Sequence, residues 1–118
     1  MNRIEAFADL DAVADAAAKA LAGALREADR PSLVATGGTT PGPTYDRLAK
    51  ANLDWRRVTV TLSDERWVEA DSPDSNEGLI REHLLVGPAA AARPLPLRSG
   101  HTTPEEEAAA ADGALRAL

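Results

Sequence analysis

Between residues 9 and 29, apolar positions return every three or four residues. Leu10, Val13, Ala17, Leu21, Ala24, Leu25 and Ala28 define one face of a helix. Asp9 stands where an N-cap is needed, Asp11 falls in the first turn, and Lys19 and Arg26 follow, in keeping with the helix dipole. Pro31 stops the pattern. Ser32-Leu33-Val34-Ala35-Thr36 is then nearly continuous in apolar character, which predicts a strand buried on both faces. Residues 41–51 return to helical spacing through Tyr45, Leu48 and Ala49, with Thr40 as expected N-cap and Pro41 as first helical residue. Val58-Thr59-Val60-Thr61-Leu62 is β-branched almost throughout and reads as a second strand. After a turn-rich loop at 71–75, residues 76–85 predict a helix with Leu79, Ile80 and Leu84 inward and His83 near that inner face or at the surface, ended by Gly87-Pro88. Pro94-Leu95-Pro96-Leu97 can form only an edge strand, because proline cannot donate to a central ladder. A last helix is predicted from Thr103 or Pro104 onward.

Helices and strands therefore alternate, which predicts an α/β fold: a Rossmann-like parallel sheet with crossover helices, in a single domain over residues 1–118. Composition adds one qualification. Of the apolar residues 25 are alanine, so the larger side chains left over make a thin core. No cysteine is present, which excludes disulfides, thiol nucleophiles and cysteine-bound zinc. A net charge of −6 argues against nucleic-acid binding, which needs a basic face. No apolar run is long enough for a membrane span and no basic-then-apolar leader opens the chain, so a cytoplasmic location is expected.

Two segments carry chemistry. Gly37-Gly38-Thr39-Thr40 lies between a strand and a helix, where glycines let backbone N–H groups approach an anion and threonine hydroxyls add donors. A tight, threonine-capped turn explains the same residues equally well. Asp64-Glu65-Arg66 leaves the carboxyl end of a parallel strand, the usual ligand side of such sheets; a solvated charged turn is the plainer alternative. Ser75-Asn76 could meet a sugar hydroxyl or simply cap a helix. Trp67 is read as crevice wall or sheet cover, His83 as a surface residue, and His101 as a loop residue with a capping or solvent role.

Taken together, Gly37-Gly38-Thr39-Thr40-Pro41, Leu53-Asp54-Trp55-Arg56-Arg57-Val58, Ser63-Asp64-Glu65-Arg66-Trp67-Val68, Asp74-Ser75-Asn76-Glu77 and Arg81-Glu82-His83-Leu84-Leu85 resemble the 6-phosphogluconolactonase family. That family lies within the glucosamine/galactosamine-6-phosphate isomerase superfamily, and the resemblance runs from about residue 30 to 86. Related deaminases typically carry Asp-Glu-Tyr where this chain has Asp64-Glu65-Arg66.

The resemblance implies hydrolysis of 6-phospho-D-glucono-1,5-lactone in the oxidative pentose phosphate pathway, with no metal and no cofactor. It implies catalytic roles for Asp64, which would orient or assist a general base, and for Arg66, which would meet phosphate or oxyanion charge. Gly37, Gly38, Thr39, Thr40 and Asn76 would line the substrate site. The implied partner is a small sugar-phosphate lactone, with neither nucleic acid nor membrane. Alternatives are a non-catalytic sugar-phosphate-binding module and an amino-sugar-phosphate deaminase or isomerase. The family's second half carries an Asp-Gly-His-Thr-Ala-Ser stretch that supplies the general base, and Gly100-His101-Thr102-Thr103 lacks its aspartate, its preceding strand and its Ala-Ser. The chain is thus expected to be the N-terminal half of such a domain, and to be inactive alone.

Overall fold

The computed structural model describes residues 2–118. Helix α1 spans Leu10–Glu27, strand β1 Ser32–Ala35, helix α2 Gly42–Leu48, strand β2 Thr59–Leu62, helix α3 Asn76–His83, strand β3 Arg93–Pro94 and helix α4 Pro104–Arg116. Short 3-10 turns at Trp55–Arg57 and Gly87–Ala91 lead into β2 and β3. The three strands form one sheet in the order β1-β2-β3, all parallel. Leu33 lies beside Val60 and Ala35 beside Leu62. Each crossover passes through a helix, as parallel neighbours require. The predicted α/β architecture and the parallel pairing of its two main strands are observed.

Several local expectations shift. The buried stripe of α1 is Ala14, Ala18, Ala22 and Leu25, while Leu10 and Val13 are exposed. The helix turns its small residues, four apart, toward α2, and alanine at those positions lets two helices approach closely. Its cap is the expected one: the Asp9 carboxylate accepts from the Ala12 N–H at 2.8 Å. Strand β1 buries Leu33 and Ala35 but leaves Val34 exposed, so it is covered on one face only. β2, flanked on both sides, buries Val60, Thr61 and Leu62.

Helix α2 begins one residue later than expected and ends at Leu48; Pro41 occupies the N-cap without a side-chain bond, and Thr40 stays exposed. The third strand sits at Arg93–Pro94 rather than 94–97. Arg93 donates to the Val58 carbonyl and Leu95 to that of Val60, both at 2.8 Å, so the missing N–H of Pro94 falls where no ladder bond is due. Helix α4 starts at Pro104 with the Thr103 hydroxyl accepting from the Glu106 N–H, as the sequence suggested. Leu48, Val58, Ile80 and Leu84 are fully buried at the centre of the core.

Candidate functional site

The carboxyl ends of β1 and β2 lie side by side, with the Ser63 N–H still bonded to the Ala35 carbonyl at 2.9 Å. Each strand then releases a loop. The first, Gly37 to Thr40, is shaped at its base by Tyr45. Its hydroxyl accepts from the Thr36 N–H and donates to the Thr36 carbonyl, both at 2.9 Å, which ends the strand at Ala35. Burial of the phenol raises its pKa, opposed by the bond to Thr36. Gly38 has φ of 95°, a conformation open to glycine and costly for other residues. Gly38, Thr39 and Thr40 are exposed and Gly37 is half-buried.

The second loop leaves β2 at Ser63. Asp64 and Arg66 are exposed, and Glu65 between them turns inward. Asp64 accepts from the Ser63 hydroxyl at 3.0 Å. The Arg66 guanidinium donates to the Asp74 carbonyl at 3.1 Å, a neutral acceptor that leaves its positive charge available to an anion. The Glu65 carboxylate accepts from the N–H groups of Arg66, Asn76 and Glu77 and from the Ser75 hydroxyl. Its burial raises the pKa, but these bonds prevail and hold it below the ordinary carboxylate value.

Asn76 connects the two loops. It is buried, its carboxamide nitrogen donates to the Asp64 carbonyl at 3.1 Å, and its carboxamide oxygen lies against Gly37. Ser75 is the N-cap of α3, accepting from the Gly78 N–H at 3.1 Å. At this carboxyl edge of the sheet, the rim, Gly37, Asn76 and Asp64 are linked directly, while Gly38 to Thr40 and Arg66 are exposed on the loops that leave β1 and β2.

Among the described residues neither histidine hydrogen-bonds to Gly37–Thr40, Asp64, Arg66 or Asn76. His83 is half-buried rather than a free surface residue, its Nδ1 2.7 Å from the Asp46 carboxylate and its ring against Gly42. His101 is exposed, and its backbone N–H donates to Glu107 at 2.6 Å. It lines a cavity of about 200 Å³ with Glu65, Glu69, Glu77 and Arg98, to which neither Asp64, Arg66 nor the Gly37–Thr40 loop contributes. Trp67 is partly exposed, with the Arg98 guanidinium 4.3 Å above its ring and Glu69 pairing with that arginine at 3.0 Å.

Sequence reasoning missed the inward turn of Glu65 and the anchoring by Tyr45. Glu65 lay inside a motif where each charge looked equally solvated. The available signal was Ser75 at an N-cap ten residues later, which implies a nearby helix start in need of an acceptor.

The family model described as glucosamine-6-phosphate isomerases/6-phosphogluconolactonase matches residues 6–118. The 6-phosphogluconolactonase of Caulobacter vibrioides is 47% identical over 119 residues, covering 98% of this chain and 51% of that protein. That of Pseudomonas aeruginosa is 45% identical over 98 residues, 83% of this chain and 41% of the relative. The chain spans about half the length of these curated relatives. A crystal structure of a 6-phosphogluconolactonase from Shewanella baltica matches with a TM-score of 0.88 and 40% identity, over 92% of this chain and 48% of that one. A monomeric glucosamine-6-phosphate deaminase matches with a TM-score of 0.79 at 21% identity, over 99% of this chain and 51% of that one, a likeness of fold alone.

Proposed function

The chain belongs to the family of glucosamine-6-phosphate isomerases and 6-phosphogluconolactonases, and from that premise we propose that its rim serves hydrolysis of 6-phospho-D-glucono-1,5-lactone to 6-phosphogluconate. The observation that carries this reading is Arg66: exposed, paired with no carboxylate side chain among the described residues, and two residues beyond Asp64, whose carbonyl Asn76 joins to Gly37. A guanidinium so placed suits a phosphate, or the charge that develops on the lactone oxygen when water attacks the carbonyl. The exposed N–H groups and hydroxyls of Gly38 to Thr40 offer further donors to the same anion.

Asp64 would orient the attacking water or assist the group that takes its proton. The proton must leave as the new C–O bond forms, and the ring oxygen must gain one as the lactone opens. A guanidinium is too weak an acid to serve as a proton donor here, so the part of Arg66 is electrostatic. The substrate class is a small sugar phosphate, and the expected setting is the cytoplasm. The Arg66-Trp67 pair favours the lactonase branch over the deaminases. Among the described residues no helix is long and apolar enough to cross a membrane.

Titrating residues 1–118 with 6-phosphogluconate, followed by amide NMR, tests the reading. The expected result is a saturable shift of Gly38 to Thr40 and of Asp64 to Arg66, weakened at least tenfold by Arg66→Ala. No shift at either loop, or a shift that ignores Arg66→Ala, sinks it.

A further inference from the structure

The proposed chemistry leaves one charged group of the rim without a task. Glu65 sits between Asp64 and Arg66, yet its carboxylate points the other way. Oε1 accepts from the N–H of Arg66 at 2.9 Å and of Asn76 at 2.7 Å. Oε2 accepts from the N–H of Glu77 at 2.8 Å and from the Ser75 hydroxyl at 3.0 Å. Each oxygen thus meets two donors, so this carboxylate has little capacity left for a substrate or a proton. Asn76 and Glu77 are the first two residues of α3, whose N–H groups have no partner within the helix. The end of the helix that would attract an anion is already filled by the protein's own anion.

The consequence reaches the rim through two short links. Glu65 fixes the backbone of its neighbour Arg66 directly. It also fixes Asn76, whose side chain holds the Asp64 carbonyl and lies against Gly37. One inward carboxylate therefore sets the peptide on either side of itself and the gap between the two loops.

We propose that Glu65 is the positioning residue of the substrate rim: it keeps Asp64 and Arg66 turned outward, and it closes the amino end of α3 to substrate phosphate, which is thereby directed to Arg66 and the Gly37–Thr40 loop. The identity of the ligand rests on the lactonase reading; the positioning role rests on the hydrogen bonds alone. Glutamine at 65 is nearly isosteric, but its amide group would present N–H to two donors and forfeit their bonds. Aspartate keeps the charge and is too short to reach all four donors at once.

The test compares residues 1–118 in four forms: unaltered, Glu65→Gln, Glu65→Asp and Glu107→Gln. Glu107 is a buried carboxylate that gathers donors from a different loop, so its variant controls for lost stability without touching the rim. Affinity for 6-phosphogluconate and the amide NMR spectrum are read for each. Glu65→Gln is expected to bind at least tenfold more weakly, with displaced amides at Gly37 and at Asp64 to Arg66. Glu107→Gln should bind within twofold of the unaltered chain.

In the unaltered protein the Asn76 and Glu77 amides should titrate together below the ordinary carboxylate range, a step absent from Glu65→Gln. Unchanged affinity in Glu65→Gln, or an equal loss in Glu107→Gln, overturns the proposal. If the unaltered chain binds no 6-phosphogluconate, the lactonase reading fails and the amides decide positioning. Their retention at the rim in Glu65→Gln refutes the role, and their displacement upholds it. Should Glu65→Gln not fold, Glu65→Asp is judged by the same criteria.

Discussion

Gly37 and Asn76 occupy one another's space: a β-carbon built on Gly37 would stand 2.1 Å from the Asn76 carboxamide oxygen. Glycine at this position is required by a neighbour and not by backbone geometry, since the positive φ belongs to Gly38 instead. The close approach lets a buried carboxamide reach the Asp64 carbonyl and so join the loops that follow β1 and β2.

Gly37→Ala should therefore expel the Asn76 side chain and break its bond to Asp64. Losing a buried hydrogen bond and stranding its groups costs about 1–3 kcal/mol, seen as a lower midpoint of thermal unfolding. Asn76→Ala removes the obstacle and the bond together. The double variant should consequently be much less destabilised than the two single effects added. Strict additivity would show that Gly37 is needed for some other reason.

Tyr45→Phe isolates the link that ends β1. The phenol serves both backbone groups of Thr36, yet Thr36 is exposed and water can take its place. A loss of about 1 kcal/mol is expected, at the lower end for such a bond. Hydrogen exchange at the Thr36 amide should accelerate by more than this global loss explains. Equal acceleration across β1 would show that the strand, rather than its end, depends on Tyr45.

Glu107 gives the protein an acid-sensitive joint. Burial raises its pKa, but the Ser99 and His101 N–H groups, the Ser99 hydroxyl and the His101 ring outweigh it and lower the value from 4.5 to about 2. A carboxylate whose pKa is depressed on folding contributes stability above its unfolded value and loses it as pH falls toward the folded one. Stability lent by Glu107 is thus complete above about pH 4.5 and fades toward pH 2. Urea unfolding of the unaltered chain and Glu107→Gln should differ most near neutrality and converge over that window. A constant difference from pH 7 to pH 3 would remove Glu107 from the acid response.

The order of elements and the parallel sheet were legible because β-branched runs and helical spacing alternate along the chain, and tertiary packing had only to agree with them. The face of α1 was not. Its periodicity pointed to Leu10 and Val13, while the fold buries Ala14, Ala18 and Ala22, because close contact with α2 selects small residues that a hydrophobicity count discounts. At the rim, Asp64, Arg66 and the glycine loop could be named from their places after strands. The inward direction of Glu65 could not, since it depends on a helix start ten residues away. Asn76 could be placed at that helix start, but its reach to Gly37 is a fact of three dimensions.

Hydrolysis itself provides the last test. Among the described residues no histidine bonds to Asp64, Arg66 or the glycine loop: His83 is engaged by Asp46 and His101 sits with Glu107. Asp64 is left as the proton acceptor nearest in kind, and a solvated carboxylate is a feeble base toward water. A missing general base typically costs about 10²–10⁴-fold in rate. Purified residues 1–118 should therefore hydrolyse 6-phosphogluconolactone at about the spontaneous rate, with His101→Ala indistinguishable. Supplying the other half of a full-length relative in trans should raise the rate. Robust hydrolysis abolished by His101→Ala would make His101 the base and move the reacting centre into the cavity it shares with Glu65. Robust hydrolysis that survives His101→Ala and falls with Asp64→Asn would show instead that the carboxylate on β2's carboxyl end suffices.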